Sequence, residues 1–291
     1  MNIFLTGANG YIGNAFLLKA AKKGHTIFAV TRKNKNKKIK NIKWLVGSIN
    51  KKWKELSKSD VLIHFAAAGV NELNADYKKY YNFNVVKSKK LIKNAIAAGC
   101  KKWLIISSNK EKKIKILKLN YKTIKKYEKK LFYIYGLTKL LFSKICIRLS
   151  IKNKAKCRII RLHHVYGGNE KKTRMWPSLI IAAKKNNNFN MTAGTQMLDF
   201  NYIDNVIEGL LEAIDFNKKP GKFPQIWDMG SGKILSAKRF ASIIWKKINP
   251  KSKIIFSKIK NFDKKNYKIN SKNLWKIKYT KPEHSLKYKN V

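Results

Sequence analysis

The stretch MNIFLTGANGYIG, residues 1–13, decides the fold. Asn2 to Thr6 is a short, mostly apolar run of strand type. It passes directly into Gly7-Ala-Asn-Gly10-Tyr-Ile-Gly13, and Asn14 to Lys23 follows as a helix with one apolar face. The first glycine permits a tight turn. The second lets backbone amides approach a pyrophosphate, and the third lets the helix pack against the strand. The helix N-terminus adds N–H groups and a partial positive charge that favour an anion. Asn9, Tyr11 and Ile12 lie in the same turn and join the three glycines as candidate cofactor contacts.

Working outward, the chain alternates strand and helix as a parallel sheet requires. Strands are predicted at Thr26 to Thr31, Lys43 to Val46, Val61 to Ala66, Trp103 to Ser107 and Cys157 to Leu162. Helices are predicted at Val85 to Ala98 and Tyr135 to Ser150. The unbroken apolar run from Val61 suits a central strand buried on both faces. In this setting a glycine loop signals dinucleotide binding. The expected architecture is α/β, a Rossmann-type doubly wound parallel sheet with a smaller α+β domain. Residues 1–166 plus 197–216 are assigned to the first, and 167–196 plus 217–291 to the second. Residues 167–200 read as a polar loop, a helix at Ser178 to Lys185 and a turn-rich stretch. Ile203 to Phe216 reads as a helix, and short mixed elements follow Gly221.

Composition narrows the class. Of 291 residues, 44% are hydrophobic, enough for an ordinary core and too many for disorder. The apolar runs reach about ten residues, short of the roughly 18 that span a bilayer. The N-terminal residues lack the basic head and cleavage site of a signal peptide, so the expected location is cytoplasmic. Cys100, Cys146 and Cys157 are odd in number and scattered, which points to buried free thiols and to no metal site. The net charge of +51 invites a polyanion. Yet the cations are overwhelmingly lysine and are spread over the whole chain, a compositional bias rather than a binding stripe, so nucleic acid is not expected as a partner.

Several blocks together resemble one family. TGANGYIG at 6–13, DVLIHFAAAG at 60–69, NVVKSKKLIKNAIAAGCKKWLIISS at 84–108, RLHHVYG at 161–167, LDFNYIDNV at 198–206 and WDMGSGKILS at 227–236 follow in the expected order. They are similar to the extended short-chain dehydrogenase/reductases of the NAD-dependent epimerase/dehydratase family, which modify nucleotide sugars. The resemblance implies a nicotinamide cofactor on the first domain, a nucleotide-sugar substrate on the second and a homodimer through two long helices. It places Phe65, Ala66 and Ala67 beneath the cofactor. Asn84 matches a family asparagine on the cofactor side, and its role here reads as structural.

Tyr135-Gly-Leu-Thr-Lys139 matches the family's Tyr-x-x-x-Lys. Residues at i and i+4 share a helix face. An ammonium at Lys139 can therefore lower the Tyr135 phenol from its usual value near 10. Lysine is so abundant that the pattern recurs, at Tyr121 and Lys125. Tyr135 is preferred because a long apolar helix follows it. Ser108, at the end of the fifth strand, is the candidate hydroxyl for the reacting oxygen, with Ser107 as the alternative. His163 and His164 are candidate substrate contacts; the position resembling His164 is often asparagine in the family, and a packed histidine pair is the other reading.

Two choices follow. The second strand ends Val30-Thr31-Arg32-Lys33, with a cation where NAD sites usually place an acid. Arg32 suits a 2′-phosphate, so NADP is preferred over NAD. Ser108 is followed by Asn109 and Lys110, not by the Asp-Glu pair of the family's 4,6-dehydratases, which disfavours dehydration. A 4-keto reductase and a 4-epimerase both remain, each using Ser108, Tyr135 and Lys139. From another class, a non-catalytic dinucleotide-sensing or polyanion-binding Rossmann protein stays as the alternative.

Overall fold

A computed structural model of the chain describes residues 1–33, 38–69, 76–114, 131–219, 221–258 and 271–287. It divides into two compact units: Met1–Leu162 with Leu210–Trp227, and His163–Gly209 with Asp228–Val291.

In chain order, the first unit holds β1 (Asn2–Thr6), α1 (Tyr11–Lys22), β2 (Thr26–Thr31), β3 (Ile42–Val46) and β4 (Val61–His64). Then come α2 (Tyr77–Tyr81), a π-helical turn (Asn82–Lys87), α3 (Ser88–Ala97) and β5 (Lys102–Ser108). A 3-10 turn (Asn109–Lys113), α4 (Leu131–Lys152) and β6 (Lys156–Leu162) complete the run. The six strands are all parallel, in the order β3-β2-β1-β4-β5-β6. This is the doubly wound Rossmann arrangement, whose direction of winding reverses between β1 and β4. At that reversal the carboxyl ends of the strands open a ligand crevice. β1, β2 and β4 are apolar on both faces because helices cover both; every residue of β4 is buried.

Strands β1 and β2 fall on the predicted residues. β4 stops at His64, two residues before the predicted Ala66, and α2 was not foreseen. His64 is fully buried and accounts for both of its ring nitrogens. Nδ1 lies 2.7 Å from the Thr6 hydroxyl and Nε2 3.1 Å from the Ser88 hydroxyl. Burial, reinforced by the charge of Lys139, pushes its pKa down to about 3.

Arg158, in the middle of β6, is buried completely. It donates to Gln225 Oε1 and to the carbonyls of Ala213, Asp215 and Lys218 at 2.7–3.0 Å, with Phe216 and Phe223 against its guanidinium. One buried cation thus fastens the returning segment 210–227 to the sheet, and four acceptors offset its desolvation.

The second unit contains β7 (His164–Tyr166), α5 (Met175–Lys184), β8 (Phe189–Met191), β9 (Met197–Tyr202), β11 (Ile234–Ser236), α7 (Ala237–Ile248), β12 (Ile254–Phe256) and β13 (Leu274–Lys276). α6 (Ile203–Ala213) and β10 (Gln225–Gly230) run across the division. β11, β9 and β7 form one small sheet, and β12 pairs with β8. Its core is aromatic: Phe200 stacks on Phe240 at 3.9 Å, with Tyr166 edge-on to both. The stretch predicted as turn-rich therefore contains two strands. Among the described residues no helix is long and apolar enough to cross a membrane. All three cysteines are free and buried.

Candidate active site

The glycine loop is built on close approach. Gly7 has φ +79°, and a Cβ there would sit 2.5 Å from the Ala66 nitrogen. A Cβ on Gly13 would lie 2.2 Å from the Gly7 carbonyl oxygen, so only glycine lets α1 begin against the turn. Gly10 caps α1 without a side-chain bond, and the first turn holds no acid. Nothing in that turn neutralises the positive end of the helix dipole. Tyr11 and Ile12 are the first, half-buried residues of α1. Asn9 Nδ2 donates 2.8 Å to the Thr31 hydroxyl, tying the loop to the end of β2. Arg32 follows there, exposed to solvent. Phe65 packs its ring 5.4 Å from that of Phe16, and Ala66 and Ala67 continue the same segment beside Gly7. The residues assigned to a dinucleotide thus gather around the ends of β1, β2 and β4. The tight glycine turn and the open helix end both fit a pyrophosphate.

Asn84, buried in the π-helical turn, uses its whole amide. Oδ1 accepts from Ala68 N at 2.7 Å, and Nδ2 donates to Ala68 O at 3.1 Å and to the Thr138 hydroxyl at 3.0 Å. It clamps the segment after β4 to the helix of Tyr135.

The two serines that end β5 part company. Strand alternation turns Ser107 inward, where its hydroxyl donates to Glu111. Ser108 is half-buried, and its oxygen accepts from Lys110 N at 3.3 Å. The helix α4 docks against this corner through Gly136, where a Cβ would be 2.9 Å from the Lys110 carbonyl oxygen. That contact brings Tyr135 beside the turn, with Lys110 Nζ 5.5 Å from its ring centre. One turn further, Lys139 Nζ donates 2.7 Å to the Ile106 carbonyl on β5. Ser108, Tyr135 and Lys139 therefore collect at one end of β5. The expectation that Lys139 lowers the Tyr135 phenol is not met: burial, and next the charge of Glu111, raises it. Burial lowers Lys139 to about 8, against opposing contributions from Glu111 and Cys146.

His163 and His164 belong to the second unit. His163 is buried, with Nδ1 3.9 Å from Asp199 Oδ2. Asp199 also accepts from the Ser231 hydroxyl at 2.6 Å and from Gly232 N at 3.1 Å. His164 is half-buried and meets the Phe200 ring edge-on at 4.9 Å. The competing Tyr121 and Lys125 lie outside the described residues. Sequence reasoning missed Glu111, whose only local signal is an acid set among lysines.

A parallel-sheet Rossmann unit with a tight glycine turn and a Tyr-x-x-x-Lys helix at the end of β5 defines a dinucleotide-binding fold of the short-chain dehydrogenase/reductase kind. The chain belongs to the NAD dependent epimerase/dehydratase family, whose model matches residues 3–230. Among curated proteins it is similar to CDP-abequose synthase of Salmonella muenchen, 26% identical over 263 residues covering 88% of this chain and 84% of that protein. Among solved structures it resembles UDP-glucuronic acid 4-epimerase of Bacillus cereus in complex with UDP-glucuronic acid and NAD. That likeness has 20% identity, TM-score 0.71 and coverage of 88% and 86%. It also resembles an epimerase of Methanothermobacter thermautotrophicus at 16% identity, TM-score 0.73 and coverage of 98% and 90%. Both structural likenesses speak for the fold.

Proposed function

We propose that the chain is an NAD(P)-dependent oxidoreductase acting at C4 of a nucleotide sugar, as a 4-keto reductase with NADP as the preferred cofactor. The observation that carries this reading is the collection of Ser108, Tyr135 and Lys139 at the carboxyl end of β5, in the same unit as the glycine cradle. A nicotinamide dinucleotide, when bound along Gly7–Gly13, supplies the hydride. The Tyr135 phenol gives its proton to the sugar carbonyl oxygen as the carbon is reduced. The Lys139 ammonium, on the same helix face, stabilises the phenolate left behind. The Ser108 hydroxyl donates to the same oxygen and holds the carbonyl in place. Asn109 and Lys110 do not suit the acid–base work of dehydration. His163 and His164, in the second unit, remain the candidate contacts to the substrate.

Similarity to a CDP-abequose synthase supports a CDP-linked sugar as substrate. Arg32, at the end of β2 where an acid would repel a 2′-phosphate, supports NADP. The same three residues would serve a 4-epimerase, which keeps NAD bound through both hydride transfers. The test is to denature the purified protein and identify released dinucleotide by mass spectrometry, then titrate the emptied protein with NADPH and NADH. Release of NADP, or at least tenfold tighter binding of NADPH, supports the reductase. Stoichiometric NAD supports the epimerase, and binding of neither overturns both.

A further inference from the structure

Thr31 ends β2 and is only 3% exposed, although its side chain is polar. A hydroxyl has one proton to give and two lone pairs with which to accept. All three are used here. The hydroxyl accepts from Asn9 Nδ2 at 2.8 Å and from Lys33 N at 3.3 Å, and it donates to the Lys33 carbonyl at 3.0 Å. The Thr31 carbonyl in turn accepts from Gly47 N at 2.8 Å, just past β3. One buried residue thus ties together the glycine loop, the end of β2 and the end of β3.

The two bonds to Lys33 close a small turn around Arg32. A threonine hydroxyl that bonds the backbone two residues on restricts the residue between them. Arg32 leaves this turn exposed to solvent, and Lys33 beside it is exposed as well. Residues 1–54 contain no Asp or Glu, so no element from β1 to β3 carries an acid that could neutralise these cations. A guanidinium meets a phosphate through two parallel N–H donors, a geometry that demands a set origin for the side chain. Fixing that origin in advance reduces what must be ordered on binding.

We propose that Thr31 is a specificity-determining positioning residue, its hydroxyl fixing the turn from which Arg32 meets the 2′-phosphate of a dinucleotide and holding that turn in register with the glycine loop. The inference rests on the NADP reading above and deepens it, assigning the preference to a buried hydroxyl as well as to a surface cation. The pyrophosphate and the 2′-phosphate belong to one ligand, so the spacing of their two seats has to be set by the protein. Asn9 and Lys33 take their places from the same oxygen, one on each side of that spacing. Without the hydroxyl, Arg32 keeps its charge and loses its fixed origin.

The test titrates the protein calorimetrically with adenosine 2′,5′-bisphosphate and with adenosine 5′-monophosphate, and reads the ratio of the two affinities. Wild type should favour the bisphosphate at least about tenfold, the effect of one charge-assisted phosphate contact. Thr31→Val keeps the branched shape and lacks the hydroxyl; its ratio should fall to about threefold or less. Thr31→Ser restores the hydroxyl and should keep the wild-type ratio. Asn9→Ala removes only the bond from the glycine loop, should lower the ratio by less, and serves if Thr31→Val does not fold. A folded Thr31→Val that keeps the wild-type ratio, including one that loses both ligands equally, overturns this inference and leaves the NADP reading intact; an unchanged ratio in Asn9→Ala, where it serves, does the same. If wild type holds both ligands alike, or Arg32→Ala keeps the wild-type ratio, the NADP reading falls and this inference falls with it.

Discussion

Asn84 Nδ2 donates to the hydroxyl of Thr138 across 3.0 Å, and so joins the chain segment that runs past the glycine loop to the helix that carries Tyr135 and Lys139. The same amide accepts from and donates to Ala68. Two parts of the candidate site are held in one register by a single side chain. Asn84→Ala would leave the Ala68 backbone groups and the Thr138 hydroxyl without these partners, at a cost of about 1–3 kcal/mol. Urea unfolding should show that loss. Dinucleotide affinity should fall with it, because Ala66 and Ala67 lie just before the clamp.

The glycine loop gives a graded expectation. Gly13→Ala places a methyl 2.2 Å from the Gly7 carbonyl, a backbone atom that cannot swing aside. Gly10→Ala meets the same oxygen at 3.2 Å, which a small shift relieves. Titration with NADPH should show binding largely abolished in the first variant and weakened only several-fold in the second. Equal affinities would contradict the cradle.

Gly136 makes a similar argument for the chemistry. Gly136→Ala forces α4 away from the Lys110 carbonyl, now 2.9 Å from where the Cβ would be. A displacement near 1 Å between Tyr135 and Ser108 should lower kcat by roughly 100-fold. NADPH affinity should change little. A variant with unaltered kcat would show that this docking does not set the geometry of the site.

His64 predicts a pH dependence of stability. Its unfolded value is 6.5 and its folded value about 3. Above pH 6.5 both states carry a neutral ring and the contribution is fully present. Below it the unfolded chain takes up a proton that the buried ring refuses, so stability is lost as pH falls toward 3. The loss is about 1.4 kcal/mol per pH unit, or roughly 2 kcal/mol by pH 5. Urea unfolding at pH 7 and pH 5 should show a smaller difference for His64→Asn than for wild type, although the variant is less stable at pH 7.

How much of this was legible in the sequence depends on whether the cause was local. The glycine loop was legible because each glycine answers a backbone demand, and β1 and β2 because parallel strands buried on both faces leave unbroken apolar runs. Tyr135 was distinguished from its competitor by the apolar helix that follows it. Glu111 was not legible: Asn-Lys-Glu-Lys-Lys reads as a solvated turn, and its decisive partner Ser143 is supplied by another element. β8 and β9 were hidden for the same reason. Three or six residues of strand carry little pattern, and their partners β12, β7 and β11 lie elsewhere in the chain. The place of Asn84 in the family block was visible, but its bond to Thr138 appears only when the two elements pack.

The central claim is that Tyr135 supports hydride transfer to a nucleotide sugar. The most direct measurement incubates wild type and Tyr135→Phe with NADPH deuterated at the transferable position and a CDP-linked 4-keto sugar, and reads the product by mass spectrometry. The account predicts one deuterium at C4 with wild type. It predicts a rate at least about 100-fold lower for Tyr135→Phe, with NADPH binding retained. Deuterium transfer at the same rate by the variant, or none by wild type from either NADPH or NADH, would contradict it.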